Sequence, residues 1–239
     1  MSEADQKTVI VKGNVLLAIE LSNPSASADA HAVALFAGVE HGSELIGSMA
    51  IPDGIRSSDA VMVLVESLCA KHDVEPGDIA RVLVSIGPGG YTALRIAATT
   101  GKVLAHTLGC SLVGVPTALV AAAGIEKEHR PALIALASKN QMAHCSIVKA
   151  NGDVESVGVM DAERIESLGV RCLFGDLHLP ASFVERAREL GIEVCPIGLD
   201  ARDCLRASEG IDPIEPIEFG PIYAREPDAV TQWRERKAK

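Results

Sequence analysis

Aromatic side chains are almost missing: four Phe, two Tyr and one Trp make up 3% of 239 residues. The core must therefore be built from Ala, Val, Leu and Ile. Those residues suit a parallel or mixed sheet packed by helices better than an aromatic-rich sandwich. Positive charge is also scarce, with 22 Lys and Arg against 32 Asp and Glu, a formal net charge of −10. Phosphate affinity needs clustered cations, so the chain is a poor stand-alone binder of nucleic acid. The short basic run Arg234-Glu235-Arg236-Lys237-Ala238-Lys239 reads as a solvated tail. Six cysteines occur, at 69, 110, 145, 172, 195 and 204, with no Cys-x-x-Cys pair. That speaks against a zinc knuckle or a thioredoxin-type redox site. Scattered cysteines without a signal peptide suggest a reducing cytoplasm. Residues 1–14 are polar and charged and hold no long apolar run, so neither secretion nor membrane insertion is supported. The histidines at 31, 41, 72, 106, 129, 144 and 178 show no ligand spacing, and no metal is expected.

What is present is a regular alternation of apolar runs and turns. Residues 1–13 read as a disordered lead-in. Strands are expected at Val15–Glu20, Ala32–Ala37 and Glu44–Met49, and three strands before any helix suggest an antiparallel meander. A helix follows over Asp59–His72, with Ser57 or Ser58 as its cap and Val61, Leu64, Val65 and Leu68 on one face. Strand Val82–Ile86, helix Ala93–Leu108 and strand Ser111–Val115 complete a first unit, residues 14–123. A second unit, 131–210, repeats this weakly. It has strands at Leu133–Ala137, Ala143–Lys149, Val154–Val159, Arg171–Phe174 and Glu193–Ile197, and helices at Ala162–Leu168 and Ala181–Leu190. The charged break at Gly124–Arg130 marks the boundary, and the Pro-rich stretch Asp212–Pro221 opens a tail, 211–239, that returns to the first unit.

One segment concentrates the information. Val84-Ser85-Ile86-Gly87-Pro88-Gly89-Gly90-Tyr91-Thr92-Ala93-Leu94-Arg95-Ile96-Ala97 runs from an apolar strand through four turn residues into an alanine-rich helix. Such a turn needs backbone freedom that side chains would block, and it can aim amides at an anion. With its continuation Thr100-Gly101-Lys102-Val103-Leu104-Ala105 and Gly109–Thr117, the segment resembles the glycine-turn motif of the TsaB (YeaZ) family of the TsaD/Gcp-like group. The opening Leu17-Ala18-Ile19-Glu20-Leu21-Ser22 and the tail Pro221-Ile222-Tyr223-Ala224-Arg225-Glu226-Pro227 are also similar to that family. The likeness is strong over 14–120, faint over 121–215, and returns at the tail.

The resemblance implies two RNase H-like lobes in an actin-like ATPase (ASKHA) architecture. It also implies a non-catalytic role in making N6-threonylcarbamoyladenosine on tRNA, with a TsaD-like catalytic subunit and a TsaE-like ATPase as partners. The chain would form a homodimer when alone, and tRNA would be met only indirectly. Family members pair through the helices equivalent to Asp59–His72 and Ala93–Leu108. On these, Met62, Cys69, Arg95, Ala98 and Lys102 are the expected partner face, with Ala97–Gly101 as a small-residue surface.

Glu20 stands where actin-like ATPases place a metal-positioning acid, although the family has Asp there. With Gly87, Gly89, Gly90 and Thr92 it forms the candidate nucleotide or phosphate contact. The plainer alternatives are a polar residue at a strand end and a tight turn under a crossing helix. No intrinsic cofactor is expected, and ATP or ADP would sit at a partner interface if anywhere. TsaD-type catalysts carry His-x-x-x-His after the strand that ends at Val115, whereas Pro116–Ala123 contains no histidine. No catalytic residue is therefore assigned. Two rival readings stand beside the scaffold: a diverged ATPase or small-molecule kinase of the same superfamily, and a stand-alone homodimeric paralogue.

Overall fold

The computed structural model describes residues 12–22, 30–38 and 42–224, together with 233 and 236. The expected lead-in apart from residues 12 and 13, and most of the basic tail, lie outside them. In the first half, β1 (Val15–Ile19), β2 (His31–Ala37), β3 (Glu44–Ala50), β4 (Ile79–Gly87) and β5 (Ser111–Pro116) form one sheet in the order β3-β2-β1-β4-β5. The β1–β2–β3 pairings are antiparallel, and β4 and β5 add in parallel. In the second half, β6 (Ala132–Ala137), β7 (Ala143–Val148), β8 (Val154–Met160), β9 (Cys172–Gly175) and β10 (Glu193–Pro196) take the order β10-β9-β6-β7-β8. Renumbered within its own lobe, the second sheet repeats the first. Two mixed sheets with flanking helices make the two-lobed actin-like architecture.

The centre of the molecule follows from strand alternation. All five residues of β1 are fully buried. Val15, Leu17 and Ile19 face a core under α1 (Ser57–Lys71) and α2 (Tyr91–Leu108). Leu16 and Ala18 point the other way, into a second core shared with Ala132, Ile134 and Leu136 of β6. A strand covered on both faces must read as an unbroken apolar run, and VLLAI does. Burying each such leucine contributes about 1.5–3 kcal/mol. The outer face of β6, Leu133 and Ala135, packs with Phe183 of α4 (Ala181–Glu189) in a third core.

Two local expectations are corrected, and one helix was not anticipated. The cap of α1 is Arg56, in extended geometry and without a side-chain hydrogen bond; Ser57 and Ser58 lie inside the helix. Ala162–Leu168 is a 3₁₀ helix ending on Gly169 in the left-handed region. The run after β5 is a short helix, α3 (Thr117–Gly124), with Thr117, Val120, Ala121 and Ala122 buried between the lobes. No helix among the described residues is long and apolar enough to cross a membrane.

After α5 (Cys204–Ala207), the chain runs back along the first lobe. Ile214 N–H donates to the Leu112 carbonyl at 2.8 Å, and Ile222 N–H to the Ile86 carbonyl at 2.7 Å. Phe219 enters the first core. These contacts bring Tyr223 beside the start of α2.

Candidate partner-binding face and the closed cleft

The glycine turn is fixed by close approach. Gly90 N–H donates to the Ser22 carbonyl at 2.6 Å, so this amide is already engaged within the chain. A Cβ on Gly89 would stand 2.1 Å from the same carbonyl oxygen. Gly87 has φ +107°, and a Cβ there would lie 2.4 Å from the Ile222 carbonyl oxygen. The geometry at Gly87, Gly89 and Gly90 thus favours the architectural alternative over a phosphate cradle. Thr92 is exposed and lines the groove between α1 and α2.

Glu20 follows β1 and is only 5% exposed. Its Oε1 accepts Ser22 N–H at 2.5 Å, while Oε2 has no hydrogen-bond partner. Burial raises its pKa above the ordinary 4.5, the nearby polar groups of Ser22 and Ser85 oppose the rise, and Asp200 adds to it. Ser85 in turn sits 3.0 Å from the Thr117 hydroxyl of α3.

The segment 199–207 packs against β1 and β2. Asp200 accepts N–H groups from His31 at 3.0 Å and Arg202 at 2.8 Å, and it holds the Arg202 guanidinium at 2.7 and 2.9 Å. Burial pushes its pKa up, but the Arg202 and His31 contacts outweigh that and hold the carboxyl below its ordinary range. Leu199, Ala201 and Cys204 then pack into the shared core. Beside the buried Glu20 carboxyl thus lie the Asp200 carboxylate and the fully buried thiol of Cys204. No pattern in the sequence marks this lock; only Asp200 ahead of the short Ala201–Asp203 turn could have hinted at a cap.

These facts give a signed pH prediction. A raised folded-state pKa means that the folded chain keeps the Glu20 proton to higher pH than the unfolded chain. Stability is therefore lost as pH rises from 4.5 through the folded value, and the penalty is complete above it. Glu20→Gln should stabilise the protein at neutral pH by about 1–3 kcal/mol, because the amide has no charge to bury. That advantage should shrink towards pH 4.5. Urea unfolding at both pH values checks it, and an equal difference at both would refute the assignment.

The open surface lies on the other side of the first sheet. Ser58, Val61, Met62, Tyr91, Thr92, Arg95, Ile96, Thr99 and Thr100 line a groove of about 420 Å³ between α1 and α2. Met62 is 48% and Tyr91 52% exposed. Tyr91 stacks on Tyr223 with centroids 5.1 Å apart. Arg95 lies over the Tyr91 ring at 5.5 Å and donates to its hydroxyl at 3.2 Å. The result is an amphipathic platform of two rings and a guanidinium, groups suited to macromolecular contact.

Of the expected face, Met62 and Arg95 are in this groove. Cys69 is half-buried against the first core. Lys102 Nζ reaches the Ile217 carbonyl at 3.5 Å and helps hold the returning tail. Ala98 is a correction: it is buried at 4% exposure, because Ala97, Ala98 and Gly101 form the stripe by which α2 approaches its own sheet. A Cβ at Gly101 would meet Val84 at 2.4 Å.

Comparison with known proteins agrees with this arrangement. Residues 55–165, from the start of α1 through β8, match the family described as TsaD, tRNA N6-adenosine threonylcarbamoyltransferase. A 54-residue stretch is 39% identical to the tRNA threonylcarbamoyladenosine biosynthesis protein TsaB of Bacillus subtilis (strain 168), covering 23% of this chain and 24% of that protein. Over these stretches the chain is similar to the TsaB (YeaZ) family of the TsaD group.

Solved structures support the fold over a longer span. YeaZ from Pseudomonas aeruginosa superposes with a TM-score of 0.67 at 18% identity, over 88% of this chain and 99% of that one. A Pseudomonas aeruginosa protein described as similar to peptidase YeaZ gives 0.68 at 19% identity, over 89% and 100%. α3, Thr117–Gly124, contains no histidine. Its inward positions are Thr117, Val120, Ala121 and Ala122.

Proposed function

We propose that this chain is the non-catalytic partner subunit of an N6-threonylcarbamoyladenosine synthesis complex, and that it binds and activates a TsaD-type subunit through the α1–α2 face. The observation that carries this reading is the contrast between the two sides of the first lobe. The Glu20 side is filled by Cys204 and the Asp200–Arg202 pair, whereas the helix side presents Met62, Tyr91 and Arg95 to solvent. A TsaE-like ATPase would be the third member, with ATP or ADP at a shared interface. The partners would supply the cations that a chain of net charge −10 lacks for tRNA. Its setting would be the cytoplasm, in keeping with six free cysteines.

Light-scattering mass of the chain, alone and mixed with the TsaD protein of its own source, tests the proposal. A heterodimer that replaces a homodimer is the expected result. An unchanged homodimer would remove the proposal and leave the stand-alone paralogue in its place.

A further inference from the structure

A second cluster of reactive groups lies far from the groove, where the inter-lobe connector meets the edge of the second sheet. His129 ends the short turn Lys127–His129 ahead of β6. Its ring stands edge-on to Phe174 of β9, with centroids 5.7 Å apart at 88°. Phe174 is the register partner of Cys195 on β10, and Cys172 is the register partner of Glu193. Glu193 and Cys195, two residues apart on one strand, point to the same side. One ligand-type atom from each of His129, Glu193 and Cys195 lies within 4.8 Å of the others. Cys172 Sγ sits 3.7 Å from Glu193 Oε2 and can donate to it.

We propose that His129, Glu193 and Cys195 hold a divalent transition metal of the zinc type, with the remaining tetrahedral position open to water.

The donor set selects the class of ion. A thiolate and an imidazole favour zinc over calcium or magnesium, which prefer all-oxygen sites. Thiolate and carboxylate together balance the charge of a divalent ion, and Cys172 would orient the carboxylate. Tetrahedral zinc places its donor atoms about 3.3–3.8 Å apart, so side-chain rotations within the present cluster suffice. The consequence is mechanical. β10 is the outermost strand of its sheet and pairs only with β9 there. A metal bridging it to residue 129 would pin that edge to the connector between lobes. Spacing in the sequence does not show the cluster, because His129 is distant along the chain and only Glu193-x-Cys195 is local.

The test uses the full chain, stripped with a chelator and kept reduced, and titrated with Co²⁺ as a spectroscopic probe. The expected result is a thiolate-to-Co²⁺ charge-transfer band that saturates at one equivalent and is displaced by Zn²⁺. Zn²⁺ should also raise the melting temperature of the wild type. Both signals should disappear in Cys195→Ser and in His129→Ala, and both should survive in Cys69→Ser. Metal-free melting curves show whether each variant is folded; should either fail to fold, Glu193→Gln takes its place. Absence of the band in the folded wild type, or its persistence in a folded ligand variant, overturns the proposal.

Discussion

Gly89→Ala should destabilise the protein by about 3–5 kcal/mol, a large share of the stability of an ordinary domain. The added Cβ would meet the Ser22 carbonyl oxygen at 2.1 Å and its carbon at 2.8 Å. Both are backbone atoms, so no side chain can swing aside. Relief requires moving the turn away from the end of β1, and that motion would also break the Gly90–Ser22 hydrogen bond. Gly90→Ala is the matched control. It is one residue away, in ordinary geometry at φ −64°, and its Cβ would meet only Ser22 at 3.7 Å and Ala93 at 3.8 Å. It should cost less than about 1 kcal/mol. Thermal melts of both would decide, with Gly89→Ala about 6–20 °C below the wild type. Equal melting temperatures for the two variants would mean that the turn is not held by Ser22.

Tyr91→Ala should be the most damaging single change for partner binding. The ring is half-exposed, stacked on Tyr223 and covered by Arg95, so truncation dismantles the platform and not merely one contact. An aromatic at the centre of an interface contributes about 2 kcal/mol or more, so the Kd for the TsaD-type subunit should rise roughly 30-fold or beyond. Folding should be nearly unaffected, because little apolar area is lost from the core. Calorimetric titration beside a melting curve separates the two effects. A change in Kd below about threefold, in a variant that melts like the wild type, would move the interface elsewhere.

Much of the framework could be read from residue pattern. Val15–Glu20 was expected as a strand and Val15–Ile19 is one; Asp59–His72 was expected as a helix and Ser57–Lys71 is one. The helix has one clear period because it meets one core, and β1 is an unbroken apolar run because two cores cover it. The first-sheet order needed the family resemblance, since a meander of three strands fits several folds. The illegible parts lie between the lobes. α3 is apolar all round its short length and so has no helical stripe, because both lobes cover it. The 199–207 segment owes its position to Asp200 and Arg202, a local pairing that no periodicity reveals. Ala98 was misplaced for a related reason. Small residues mark close approach, but sequence does not say to what, and here the neighbour is the helix's own sheet.

Tyr223 also gives the platform an order in time. Every residue lining the groove is made before the second lobe begins, yet the ring that stacks on Tyr91 is made after that lobe ends. A chain still leaving the ribosome can fold α1 and α2 but lacks this ring until the second sheet has been synthesised and the tail has run back past Leu112 and Ile86. The stacked pair on one lobe is thereby completed only after the other lobe has been made.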